Sequence, residues 1–192
     1  MKDILDAIVI GAGPSGLGAS LALSGYRPHH VPACAVENPA LQARLRAHVG
    51  ELMLDALPNL AAGLRGRSNN PLALLFDALQ HPGVDSGVRA PSCLELRLND
   101  AAALSHVVVD PAPFGGSWHS MHDAVRTLSP GPWMELPGLP LSSYLTTRGQ
   151  PAAAAAARQP RRLIAEYYEV CVRGHPRPNM PVSRTSSPAP PH

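Results

Sequence analysis

The chain has 192 residues, 45% of them apolar and 16% charged, with a net charge of +2. That length suffices for a little over one domain with a real core, built mostly from Leu, Ala and Val because aromatics make up only 4%. The balance excludes a fibrous or supercharged protein and supplies no field for nucleic acid or an anionic membrane.

Residues 4–10 read as a short buried strand, because a near-continuous aliphatic run suits a parallel sheet covered on both faces. Gly11-Ala12-Gly13-Pro14-Ser15-Gly16 follows at once. Pro14 suits the first turn of a helix, and Leu17, Leu21 and Ala22 share a face of it down to Gly25. Pro28, Pro32 and Pro39 break any regular strand after that helix. Helices are expected at 40–57 and at 71–80, the second capped by Asn70, opened by Pro71 and stopped by His81-Pro82-Gly83. Residues 105–110 form the second strong strand, β-branched and ending in the carboxylate of Asp110. Residues 128–144 read as an extended, irregular segment, and 151–162 as a linker of alanines and arginines, since so short an alanine run makes a marginal helix. A helix follows at 163–172. From 173 to 192, proline with Ser and Thr predicts a disordered tail.

Cys34, Cys93 and Cys171 are odd in number and far apart, with no C-x-x-C pair. Each reads as a small buried hydrophobe, which argues against a disulfide framework and for a reducing compartment. Asp3 and Asp6 stand where a secretory leader carries basic residues, and Gly11, Gly13, Pro14 and Gly16 interrupt the apolar run that follows. The chain is therefore expected to be cytoplasmic, without a membrane span.

The chemistry centres on Gly11-x-Gly13-x-x-Gly16, placed between a strand and a helix. The first glycine allows a tight turn, the second lets backbone approach a pyrophosphate, and the third permits close strand–helix packing. The helix N-terminus then offers N–H groups to the phosphates. Pro14 and Ser15 belong to the same loop. Such a site also calls for an acid that holds a ribose hydroxyl. Two candidates compete: Glu37, at about the usual distance but behind Pro32, and Asp110, which ends the other aliphatic strand. Asp110 is favoured, and it requires residues 26–104 to be an insertion. Just past it, Phe114-Gly115-Gly116-Ser117-Trp118 resembles the second FAD-contacting segment of flavin-dependent monooxygenases, which favours FAD over NAD. His119 and His122 lack a third ligand at recognised spacing, so no metal is expected.

Several stretches narrow the resemblance: Ser24-Gly25-Tyr26-x-Pro28, Leu64-x-Gly66-Arg67-Ser68, Gly116-x-Trp118-His119-Ser120, Trp133-Met134-x-Leu136-Pro137 and Tyr167-Tyr168. With the helix at 71–80 and Thr127-Leu128-Ser129, they resemble the oxidative stress-induced growth inhibitor family from about residue 6 to about residue 172. The resemblance implies a flavin monooxygenase-like protein, linked to NADPH and to regulation of growth, cell death and cytokinesis. It also implies a second glycine-rich fingerprint for NADPH, and this chain has no other G-x-G-x-x-G. The chain thus resembles the amino-terminal portion of a family member.

The fold class expected is α/β: a partial doubly wound, Rossmann-like FAD-binding domain over 1–172 with a helical insertion and a disordered proline-rich tail. The cofactor-binding residues expected are Gly11, Gly13, Pro14, Ser15, Gly16, Asp110, Gly115, Gly116 and Trp118, with no catalytic residue named. The partner expected is a dinucleotide rather than nucleic acid or membrane. The competing readings are a non-catalytic interaction protein that retains the dinucleotide fold, and a truncated product without function.

Overall fold

The computed structural model describes residues 4–48, 50–52, 55–66, 68–83, 86, 90–174 and 182–183. In chain order the strands are β1 (Ala7–Ile10), β2 (Tyr26–His30), β3 (Leu94–Leu98), β4 (His106–Val109) and β5 (Val182–Ser183). The helices are α1 (Pro14–Leu23), α2 (Pro39–Ala47), α3 (Leu57–Ala61), α4 (Pro71–Gln80), α5 (Leu141–Thr147) and α6 (Arg161–Gly174). The chain divides into two compact units, one made of 1–26 with 99–192 and the other of 27–98.

The first unit is mixed α/β around a small parallel sheet of order β1-β4-β5. Ala7 lies opposite His106 and Ile10 opposite Val109, so the two aliphatic strands run in register. α1 begins with Pro14 at its first position, where a missing N–H loses no bond. Leu17 and Val108 are fully buried. The Ser20 hydroxyl lies 2.7 Å from His106 Nε2, and His106 Nδ1 lies 3.0 Å from the Leu104 carbonyl. A carbonyl only accepts, so the proton sits on Nδ1 and the serine donates to Nε2. The other face of the sheet is not covered as the sequence led us to expect. Ile8 is 63% and Ile10 88% exposed, because period-2 alternation aims them away from Val9 and Val108.

α6 anchors the rest of this unit. Tyr167 accepts from the Leu136 N–H at 2.9 Å and donates to the Leu139 carbonyl at 2.5 Å, and Tyr168 donates to Met134 O at 2.8 Å. Burial pushes both phenols above the ordinary tyrosine range, so they stay protonated donors. These bonds pin the turn at Gly131–Met134 and the start of α5, within the stretch expected to be irregular. The expected linker is packed instead. Ala152–Ala156 form a 3-10 turn with Ala155 buried, and the buried Gln159 donates to the Ala154 and Ala157 carbonyls at 2.8 Å each. Arg161 and Arg162 of that stretch start α6. Two residues of the expected tail, Val182 and Ser183, form β5 beside β4; residues 175–181 and 184–192 lie outside the described residues.

The second unit holds a core of leucines, among them Leu41, Leu45, Leu60, Leu75 and Leu79. α4 occupies the expected range, and the Asn70 side chain accepts from Leu72 N–H at 3.0 Å as its cap. The helix expected at 40–57 is shorter, and α3 begins only at the far end of that range. α2 ends at Ala47, and Gly50, at a φ of 101°, turns the chain so that Glu51 bridges to His29. A strand also forms where prolines argued against one. β2 pairs with β3 in a two-stranded sheet, and the Pro28 carbonyl accepts from Leu52 N–H at 2.9 Å. A ribbon of two strands leaves outer edges on which a residue without an N–H is tolerated. β3 itself alternates Leu94-Glu95-Leu96-Arg97-Leu98, a period-2 signal that the sequence reading passed over. At its start, Val31 N–H donates to the Cys93 carbonyl at 2.9 Å. That pairing brings Cys34 and Cys93 into a disulfide with Cα atoms 5.3 Å apart, which corrects the expectation of three free thiols. Cys171 remains free and buried, its thiol pushed up to about 11 by desolvation.

Candidate dinucleotide site

Gly11 leaves β1 with its N–H on the Val109 carbonyl at 2.8 Å, one last rung of the parallel ladder. Its φ of +103° is a conformation that a side chain would strain, so the chain can turn there because no Cβ is present. Gly13 caps α1 with an ordinary φ of −74°, and a Cβ added there would meet nothing within 4 Å. The turn therefore presents open space above Gly11 and Gly13. Gly16 differs, since a Cβ there would collide with the Gly11 carbonyl oxygen, so this glycine lets the helix close onto the strand end. Pro14 and Ser15 are exposed at the first turn of α1. The unpaired N–H groups of that turn favour an anion.

The second glycine segment meets the first. Gly115 N–H donates to the Ala12 carbonyl at 2.8 Å, and Gly115 and Gly116 have φ values of 107° and 55°. A Cβ on Gly116 would lie 3.1 Å from Gly13 N and 3.2 Å from its Cα, close enough that the first loop would have to give way by a few tenths of an ångström. The pair of glycines is what allows this turn to rest on the first loop. Gly116–His119 then forms a 3-10 turn that carries the half-buried Trp118. Arg161 holds its end, donating to the Trp118 and His119 carbonyls at 3.3 and 3.2 Å and pairing with Asp123. His119 Nε2 lies 2.6 Å from the Phe114 carbonyl and donates to it, and His122 accepts from Ala124 N–H. Both rings thus serve their own loops. Among the described residues, no three of His, Cys, Asp or Glu converge as a metal cluster.

Asp110 follows β4 directly and is buried at 8% exposure. Its Oδ2 accepts from Ala12 N–H at 2.6 Å and its Oδ1 from Ala112 N–H at 2.7 Å. Glu37 lies in the other unit, where its carboxylate accepts from Ser86 Oγ at 2.8 Å. The strand beside β1 is β4, so Asp110 is the acid on the glycine loop. Two participants escaped the sequence reading. Ala12, the unremarked residue between two glycines, carries a bond on both its N–H and its carbonyl. Arg161 stands in the stretch expected to be a linker, and only the packing of α6 against the 3-10 turn reveals its place.

No family model matches this chain, and no solved structure matches it. Among the described residues, no helix is long and apolar enough to cross a membrane. Human oxidative stress-induced growth inhibitor 2 is 39% identical over 168 residues, 86% of this chain and 33% of that protein. Human oxidative stress-induced growth inhibitor 1 is 40% identical over 167 residues, 85% of this chain and 34% of its own length. The Caenorhabditis elegans oxidative stress induced growth inhibitor homolog is 31% identical over 145 residues, or 74% of this chain and 32% of that protein. The chain thus spans about a third of the length of the curated relatives it matches. These are the proteins its scattered motifs resemble, and the likeness runs through both glycine segments' unit and the inserted one. This chain is a homologue of the oxidative stress-induced growth inhibitors.

Proposed function

We propose that this chain is the FAD-binding, amino-terminal portion of a flavin monooxygenase-like regulator of cell growth, cell death and cytokinesis. The observation that carries the reading is the meeting of two glycine segments beside a helix N-terminus, with open space over Gly11 and Gly13. That is the cradle a pyrophosphate needs: backbone without side chains, amides facing outward, and a positive dipole end. Gly11, Gly13, Pro14, Ser15 and Gly16 would hold the phosphates. Gly115, Gly116 and Trp118 would line the approach of the flavin, and Asp110 completes the site. Bound flavin would supply hydride and electron transfer; these residues would bind and orient it and keep water away. The growth-regulatory part rests on the names of the relatives.

Titration of the chain with FAD, followed by quenching of flavin fluorescence, tests the reading. Saturable binding that is lost in Gly13→Val is the expected result, and no binding by the wild type overturns it.

A further inference from the structure

In dinucleotide sites of this pattern the acid that ends the second strand is assigned to the ribose 2′-hydroxyl. Here both oxygens of Asp110 already face backbone donors. Oδ2 takes the Ala12 N–H inside the glycine loop, and Oδ1 takes the Ala112 N–H on the chain leading to Gly115 and Gly116. The Ala12 carbonyl accepts from Gly115 N–H at 2.8 Å, so both peptide groups of Ala12 are tied to the second segment. The Gly11 N–H on the Val109 carbonyl holds one side of this loop, and the bond from Ala12 N–H to Asp110 is left to hold its middle. Charge-assisted bonds from a buried carboxylate are short and strong enough to do so.

We infer that Asp110 is a positioning residue: by accepting from Ala12 and Ala112 it braces the two glycine segments into one pyrophosphate cradle, and it does not read the ribose. The inference rests on the dinucleotide reading for its ligand, but the brace itself is a property of the ligand-free chain. Its consequence is a site that selects for the diphosphate and is indifferent to the ribose 2′-hydroxyl.

Two measurements test it. The first is amide hydrogen exchange by NMR on ligand-free protein. In Asp110→Ala the Ala12 and Ala112 amides should exchange at least about tenfold faster than in wild type, the scale of one lost hydrogen bond, while Val9 and Leu17 keep their protection. Asp110→Asn, which keeps one acceptor oxygen and the side-chain volume, should expose one of the two amides and serves if the alanine variant fails to fold. Protection of both amides unchanged in both variants overturns the brace. The second measurement compares ADP with 2′-deoxy-ADP by calorimetry. Wild type should bind the two within about twofold of each other, and Asp110→Asn should weaken both in the same proportion. A wild-type preference for ADP of about tenfold that vanishes in the variant would instead make Asp110 the ribose acid. If wild type binds neither ADP nor FAD, the dinucleotide reading falls and the ligand preference with it, while exchange at Ala12 and Ala112 still decides the brace.

Discussion

The three glycines of the first loop are not equivalent, and substitution separates them. Gly13 has ordinary backbone angles and open space at its Cβ position, so Gly13→Val should leave the fold intact while its side chain fills the space a pyrophosphate would need. The unfolding midpoint should stay within a few degrees of wild type, and FAD affinity should fall below detection. Gly16→Val does the opposite, because its Cβ would land on the Gly11 carbonyl oxygen. Overpacking of this kind costs roughly 1–3 kcal/mol or more, readable by urea denaturation with no ligand present. Glu135 makes a different prediction. Its carboxylate accepts from Leu141 N–H at 2.8 Å, yet burial holds its pKa above the ordinary range. The folded state then binds the proton more tightly than the unfolded chain, so stability falls as pH rises through that window. Glu135→Gln keeps the acceptor and removes the charge. It should stabilise by on the order of 1 kcal/mol or less at pH 7, and the gain should vanish as pH drops below the unfolded carboxylate value. Denaturation at pH 7 and pH 3.5 checks the sign.

At the scale of elements, the unit 27–98 depends on a pairing that local patterns do not announce. β2 contains a proline and β3 is short, and two strands alone are marginal in water. The Cys34–Cys93 disulfide joins the ends of that ribbon across a sequence separation of 59 residues. Constraining a loop of that length should stabilise the unit by about 2–5 kcal/mol. Cys93→Ala, or reduction with dithiothreitol, should therefore lower its unfolding midpoint, and limited proteolysis should cut within 27–98 before it cuts α1 or α6. Equal protease resistance of reduced and oxidised protein would show that the leucine core carries the unit without the bridge.

For the whole molecule, the sheet is small, and on one of its faces Ile8 and Ile10 of β1 are exposed while Val107 and Val109 of β4 are half-buried. The glycine cradle nevertheless needs only β1, α1, β4 and the turn at Gly116–His119, all drawn from one unit. On the proposed reading, binding of a dinucleotide and turnover of a second one are separable. We expect this chain, loaded with FAD, not to oxidise NADPH, since hydride transfer requires a nicotinamide held against the flavin and residues 17–192 contain no second glycine fingerprint. Absorbance at 340 nm, with and without FAD, checks this, and flavin-dependent oxidation lost in Gly13→Val would make the chain an enzyme as it stands.

What could be read from the sequence were features with a short range. The aliphatic runs of β1 and β4, the glycine loop, Pro14 at the head of α1, and the Asn70–Pro71 start of α4 each encode their geometry within a few residues, through steric limits on φ, orphan N–H groups and side-chain periodicity. The family, too, was legible, because its motifs are strings of residues. What only the tertiary structure decided were features whose partners lie far apart along the chain. Asp110 reaches Ala12 across 98 positions, Cys34 meets Cys93 across 59, and Gln159, closed on the alanine turn, donates its backbone N–H to Thr127 across 32. A buried donor or acceptor must find a partner wherever packing supplies one, so β2 forms despite Pro28 and the alanine run packs despite its length. Local propensity ranks what a segment prefers alone; the burial of its polar groups and side chains against distant neighbours decides what it becomes.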